Sequence, residues 1–241
     1  MVQKRKVSKG IILAAGDGDR LGSLTLTCPK VLLPVNDVPL ISYPISAMVS
    51  SGITDIGIVV GYLVDKVVEV LGDGRRFGAR LHYISNPDYL GGNAISVYRA
   101  REWLQEESFV LCMGDHIIEE RMVRLVLDRQ VINETLCVDY DPADYHQLPE
   151  ATKVTVDSDG CIREIGKELL YWDALNTGVF LLTKKFMAVL NRLVQDIGND
   201  VTISDVVNSL IGGGHCFDTC NIGGSFWADV DTNEDLDAVR V

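Results

Sequence analysis

Short apolar runs alternate with stretches of helical spacing over the first two thirds of the chain. Positions 11–15, 55–60, 81–84, 108–113 and 135–138 are runs of a length that suits buried strands. Between them, positions 40–51, 64–71, 93–105 and 120 to 130 carry apolar residues at helical intervals, with Gly52 and Gly72 as stops. Strand and helix in alternation predict a parallel sheet with crossover helices. The pattern then changes. Positions 152–156 and 161–165 flank the turn Asp157-Ser158-Asp159-Gly160 and predict a hairpin. Strands at 179–182, 215–221 and 226–230 and helices at 186–194, 203–211 and 233–239 complete the series. No internal repeat or low-complexity linker interrupts it, so a single domain over 1–241 is expected.

Composition narrows the class. A hydrophobic fraction of 47% and a charged fraction of 23% are those of a soluble globular chain. The net charge of −12 argues against a nucleic-acid surface or an anionic membrane surface. The basic start, Met1 to Lys6, is followed by no signal-type apolar region, and no apolar run reaches the roughly 20 residues that span a bilayer. Six scattered cysteines, Cys28, Cys112, Cys137, Cys161, Cys216 and Cys220, read as small buried thiols of a reduced, cytoplasmic protein. The histidines His82, His116, His146 and His215 are dispersed, and only His116, beside Asp115, invites attention.

Chemistry concentrates after the first strand, where Ile11-Ile12-Leu13-Ala14-Ala15 stops at Gly16-Asp17-Gly18-Asp19-Arg20-Leu21-Gly22. Gly16 and Gly18 let the backbone turn tightly and approach a ligand, and its N–H groups suit phosphate. Arg20 and, after Pro29, Lys30 add two cations. The third glycine is one residue late for a dinucleotide fingerprint, and no Walker A loop is present. The glycines alone would fit an ordinary strand-to-helix turn. Asp115 follows the strand at 108–113, at the end where open α/β sheets collect ligands, although it could equally cap a following helix. Asp229 and Asp231 share a face if 226–230 is a strand. Asp231 with Thr232 is also suited to capping the last helix.

The whole pattern is more specific than its parts. Leu13-Ala14-Ala15-Gly16-x-Gly18-x-Arg20-Leu21, then Pro29-Lys30-x-Leu32-Leu33-Pro34-Val35, resembles the nucleotidyltransferases that make NDP-sugars and related activated alcohols. The resemblance covers nearly the whole chain. Stretches such as GNAISVYRAR, CMGDHI, EATKV and FWADVDTNEDL are most similar to the branch acting with CTP on an inositol phosphate.

That resemblance implies an α/β fold: a Rossmann-like three-layer αβα sandwich with a mostly parallel mixed sheet and a small β-hairpin subregion on the acceptor side. It assigns 1–135 mainly to the nucleotide and 136–241 mainly to the acceptor. The implied reaction moves CMP from CTP to inositol 1-phosphate, giving CDP-inositol and pyrophosphate. The alternatives are a sugar 1-phosphate with UTP or dTTP, a phosphocholine-type acceptor, and a non-catalytic nucleotide-binding regulator. Arg20, Lys30 and Lys167 are the implied catalytic cations. Leu13, Ala14, Ala15, Gly16, Gly18, Asn86, Gly92, Asn93 and Asp115 would meet the nucleotide; Asn93 would otherwise be a plain helix N-cap. Lys153, Lys167 and Asn176 would meet the acceptor, though the family more often has Asp where Asn176 stands. Asp115 and Asp229 would hold Mg²⁺, with Asp231 the lesser candidate. The expected partners are small molecules, CTP or another NTP and a phosphorylated polyol or sugar. A homodimer is compatible with the sequence. The chain is expected to act without a membrane-embedded part, releasing a product that a separate membrane alcohol phosphotransferase consumes.

Overall fold

The computed structural model describes residues 7–129, 133–142 and 150–240. Strand β1 (Lys9–Ala14) runs into the glycine turn and a 3-10 helix, Asp19–Leu24. A second 3-10 helix, Lys30–Leu32, leads into a small hairpin, β2 (Pro34–Val35) and β3 (Val38–Pro39), and then α1 (Ser42–Ser50). β4 (Asp55–Val60), α2 (Val64–Leu71), β5 (Arg80–Ser85), α3 (Ala94–Arg99), α4 (Arg101–Leu104) and β6 (Phe109–Met113) follow. Next come β7 (His116–Ile118), α5 (Glu120–Asp128), β8 (Thr135–Asp139), β9 (Lys153–Val156), β10 (Ile162–Gly166) and β11 (Ala174–Leu182). The chain closes with α6 (Lys184–Ile197), α7 (Ile203–Gly212), β12 (Asp218–Asn221), β13 (Trp227–Asp229) and α8 (Asn233–Ala238).

Nine strands form one mixed sheet, ordered β10-β9-β11-β6-β1-β4-β5, with β8 against β11 and β12 against β8. β1 pairs in parallel with β4 on one side and β6 on the other, whereas β11 runs antiparallel to β6. Side-chain alternation along the strands divides the core in two. Ile12, Ala14, Val110 and Cys112 face α1, α2 and α5; Ile11, Phe109, Leu111 and Phe180 face α3, α6 and α7. The result is the expected αβα layering. A third, smaller apolar cluster joins Leu21, Leu33, Val35, Ile117, Val230 and Leu236. It lies between the 3-10 helices, the β7–β13 pair and α8.

The differences from the sequence reading are local. The helix expected over 93–105 divides at Ala100, and it ends at Gln105, whose φ of 51° is left-handed. The strand expected at 179–182 begins at Ala174, because Ala174 and Leu175 pair with β9. No helix follows Asp115. His116–Ile118 instead forms a strand paired with β13, so Asp115 has no helix to cap. Gln130, the expected end of α5, lies outside the described residues. Cys161 and Cys216 are joined in a disulfide, against the reading of all six cysteines as buried thiols. The hairpin turn brings Cys161 beside the approach to β12, a proximity that sequence spacing does not reveal. Among the described residues, no helix is long and apolar enough to cross a membrane.

The loop before α3 is latched to the start of α7. Gly92 N–H donates to the Asn199 carbonyl at 2.8 Å, and Asn93 Oδ1 accepts from Ile203 N–H at 2.8 Å. Asn93 therefore makes no side-chain cap on α3. A Cβ on Gly92 would stand 2.1 Å from the Val201 carbonyl oxygen and 2.6 Å from that of Asp200. Both obstacles are backbone and cannot swing away. Gly92→Ala should cost about 2 kcal/mol or more and lower Tm by about 5 °C, where an unhindered glycine-to-alanine change would stabilise. An unchanged melting curve would show that the latch is not closed.

Candidate active site

The cleft forms where the sheet reverses direction of growth. β1 is followed in the sheet by β4 on one side and β6 on the other, and ligands of open α/β sheets gather beyond the strand ends at such a point. The strand ends are drawn together there, with Gly114 N–H donating to the Leu13 carbonyl at 2.8 Å. The cleft has a volume of about 600 Å³, and a smaller depression of about 220 Å³ adjoins it under the glycine turn.

The turn is built around Lys30. Gly18 has a φ of 67°, and a Cβ there would lie 2.8 Å from Lys30 Cβ. Thr25 Oγ1 donates to the Gly18 carbonyl at 3.0 Å and closes the loop. Gly16 faces open space, which leaves its backbone accessible from the cleft. The helix after the turn is a short 3-10 segment, so a phosphate here would meet backbone N–H groups and cations rather than the end of an α-helix.

Charged side chains from five separate stretches meet across the cleft in alternating sign. Lys167 Nζ lies 3.6 Å from Glu150 Oε2, which is also 3.6 Å from Arg20 Nη1. Arg20 Nη2 reaches Asp231 Oδ2 at 2.5 Å. Lys30 Nζ bonds the other Asp231 oxygen and Asp115 Oδ2, the latter at 2.9 Å. His116 Nδ1 lies 3.0 Å from Asp115 Oδ1 and 3.6 Å from Asp229 Oδ1.

Burial and neighbours set the charge states. Burial pulls the Lys30 ammonium down, but Asp115, Asp229 and Asp231 reverse this and raise it above the usual lysine range. Burial pushes Asp115 up, yet Lys30 and His116 hold it well below the usual carboxylate range. His116 is lowered by burial and lifted by Asp229 and Asp115, the net being about 9, so it is an imidazolium at neutral pH. Burial raises Asp229 to about 6; Asp115 and Asp231 add to that effect, and His116 opposes it. Asp231 is pushed up by burial and brought down further by Lys30.

Asp231 does not cap α8. Thr232 and Asp235 form a reciprocal capping box there, which frees the Asp231 side chain for Lys30 and Arg20. Carboxylate oxygens of Asp115 and Asp229 and a ring nitrogen of His116 lie within 4.8 Å of one another. Two carboxylates from adjacent strand ends, one of them with its charge disfavoured, fit a hard divalent cation. Trp227 stacks on His116 with centroids 6.2 Å apart and fixes the ring behind the carboxylates.

Leu13, Ala15, Gly16, Arg20, Gly92, Asn93, Asp115, Lys167, Asn176, Asp229 and Asp231 line the main cleft, while Ala14, Gly18 and Lys30 line the adjoining depression. Asn86 and Lys153 line neither. Asn86 is buried and donates to Ser96 Oγ at 3.0 Å, and Ser96 is the residue at the wall. Lys153 Nζ donates to the Lys167 carbonyl at 2.7 Å, steadying the segment that carries Lys167. Asn176 Oδ1 accepts from Gly178 N–H at 2.8 Å, holding the bend of β11 beneath His116. Glu150 was not legible as a site residue; its stretch was marked only by resemblance. Among the other histidines, His146 lies outside the described residues.

Residues 9–240 match the family described as Nucleotidyl transferase. The chain belongs to that family. This nucleotidyl transferase is 33% identical over 227 residues to the bifunctional IPC transferase and DIPP synthase of Rubrobacter xylanophilus, covering 93% of this chain and 49% of that protein. It is 40% identical over 110 residues to a glucose-1-phosphate thymidylyltransferase of Streptomyces griseus, covering 46% of this chain and 31% of the relative. The chain thus spans half or less of these curated relatives. The solved structure of the inositol-1-phosphate CTP transferase from T. maritima matches with a TM-score of 0.85 at 25% identity, covering 97% of this chain and 93% of that one.

The carboxylates of this nucleotidyl transferase differ in what they can offer a cation. Electron paramagnetic resonance of Mn²⁺ should detect saturable binding to the unmodified protein and none to Asp115→Ala or Asp229→Ala. Asp231→Ala should keep it, because Asp231 stands outside the cluster that Asp115, His116 and Asp229 form. Binding retained by Asp229→Ala and lost by Asp231→Ala would reverse the assignment.

Proposed function

We propose that the chain is a CTP:inositol-1-phosphate cytidylyltransferase. The observation that carries this reading is the file of cations from Lys30 through Arg20 to Lys167, which runs from the glycine turn to the hairpin side of one cleft. Such a file can hold a triphosphate at one end and a second phosphate at the other. Similarity to the inositol-1-phosphate CTP transferase and to the bifunctional IPC transferases supports the choice of base and acceptor.

An oxygen of the inositol phosphate attacks the α-phosphorus of CTP. The bond from the α-phosphorus to the bridging oxygen breaks, and pyrophosphate leaves with the electron pair. A phosphate monoester has its second pKa near ~6, so the nucleophile is already dianionic and no general base is needed. What remains for the protein is alignment and charge neutralisation. Lys30 and Arg20 neutralise the departing pyrophosphate, and Lys167 orients the attacking phosphate. The backbone from Leu13 to Gly16, with Gly92 and Asn93, borders the nucleotide. Asp115 and Asp229 would hold Mg²⁺, which when bound would supply positive charge to the reacting phosphates. On this reading 1–135 mainly serve the nucleotide and 136–241 the acceptor, with Asp229 crossing between them. The product is an activated alcohol phosphate, and a phosphotransferase acting on a second phosphorylated alcohol is its expected consumer.

Purified protein with Mg²⁺, CTP and inositol 1-phosphate should give CDP-inositol and pyrophosphate in equal amounts. Faster turnover of UTP or dTTP with a sugar 1-phosphate would overturn the acceptor and base assignment. A product with two inositols would also contradict it. Arg20→Ala and Lys30→Ala should each lower kcat by about 10²-fold, since the charge they stabilise grows in the transition state. An effect confined to the acceptor KM would remove them from the leaving-group side.

A further inference from the structure

Glu150 stands between Arg20, on the leaving-group side of the proposed reaction, and Lys167, on its acceptor side. Its carboxylate is 3.6 Å from Arg20 Nη1 and 3.6 Å from Lys167 Nζ, too long for a hydrogen bond to either. Asp231, by contrast, grips Arg20 at 2.5 Å and is only 17% exposed, whereas the Glu150 side chain is 65% exposed. One carboxylate is built in, and the other can be displaced. Glu150, Ala151 and Thr152 all border the cleft, on the stretch that leads into β9.

The Lys167 ammonium beside Glu150 is an acceptor seat open to any small oxyanion. Inorganic phosphate held there would be a competent nucleophile. Its oxygen would form a bond to the α-phosphorus of CTP, the α–β bridge would break, and CDP and pyrophosphate would result. The balance of atoms and charge is that of the proposed reaction, but the nucleotide is wasted. We propose that Glu150 is a specificity-determining residue that keeps inorganic phosphate out of the acceptor seat. This rests on the cytidylyltransferase reading.

The discrimination comes from what each anion offers the carboxylate it displaces. Inorganic phosphate brings only negative charge, so Glu150 repels it and must be driven from its cations without compensation. A phosphorylated polyol brings hydroxyl groups that donate hydrogen bonds to the displaced carboxylate. Specificity then arises from a cost imposed on the wrong ligand.

The test compares the unmodified protein with Glu150→Gln and Glu150→Asp. Calorimetric titration with inorganic phosphate needs no turnover. Glu150→Gln should bind phosphate about threefold tighter, the scale of an exposed ion pair. Its rate of CDP formation from CTP and phosphate should rise relative to its rate of CDP-inositol formation by about threefold. Glu150→Asp keeps the charge and should keep the discrimination. Unchanged or weaker phosphate binding by Glu150→Gln would overturn the proposal. So would a raised KM for inositol 1-phosphate with phosphate binding unchanged, which would make Glu150 an ordinary acceptor contact. If the unmodified protein forms no CDP-inositol, the cytidylyltransferase reading fails, and the phosphate titration still reads Glu150 by itself.

Discussion

The buried ammonium of Lys30 is the constraint around which the catalytic end of the molecule is arranged. A lysine side chain with 9% exposure is tolerated only when carboxylates surround it. The two that do so arrive from remote parts of the chain, Asp115 from the end of β6 and Asp231 from the approach to α8. Meeting them at one nitrogen fixes the glycine turn, the β7–β13 pair and the last helix against one another. The small apolar cluster of Leu21, Leu33, Ile117, Val230 and Leu236 fills the space beneath. Gly18 belongs to the same constraint, because a side chain there would push the lysine stem away. Sheet, turn and C-terminal helix are thus held together by one desolvated charge.

Alternation of sign follows from it. Lys167, Arg20, Lys30 and the His116 imidazolium are matched one for one by Glu150, Asp231, Asp115 and Asp229. Positive groups are therefore held in place before any anion arrives, at the cost of having to exchange carboxylate for phosphate. Electrostatic catalysis needs this kind of preorganisation, since groups already oriented do not reorganise during the reaction. The exchange is easiest at the exposed Glu150 end and hardest at the buried Lys30 end.

Much of this was legible in the sequence where a local rule sufficed. The strand at 55–60 and the helix at 64–71 match their observed bounds, because an apolar run and a glycine stop mark each one. Asp115 was placed at a strand end by the run before it. The misreadings share a cause. β7 is three residues long and gains strand geometry only from β13, more than a hundred positions later. Asn93 looked like a cap and is a latch to Ile203. Cys161 and Cys216 are far apart in sequence. Glu150 has no local pattern at all; its position matters only because Arg20 and Lys167 converge on it. Pairings set by tertiary structure leave no periodic trace.

Asp229 and Asp231 show how the same residue type acquires two functions two positions apart. Both reach the cleft, and both are desolvated. Asp231 meets a guanidinium and an ammonium, and its carboxyl is held below the ordinary range. Asp229 is buried and faces two other carboxylates, which together outweigh the His116 imidazolium at 3.6 Å and the Lys30 ammonium, and its carboxyl is raised to about 6. A carboxylate whose charge is already satisfied gains little from a metal ion. One that burial and like charges disfavour gains most. The difference in electrostatic surroundings, rather than in reach or exposure, makes Asp231 the anchor of the cations and Asp229 the one of the two with more to gain from a divalent ion.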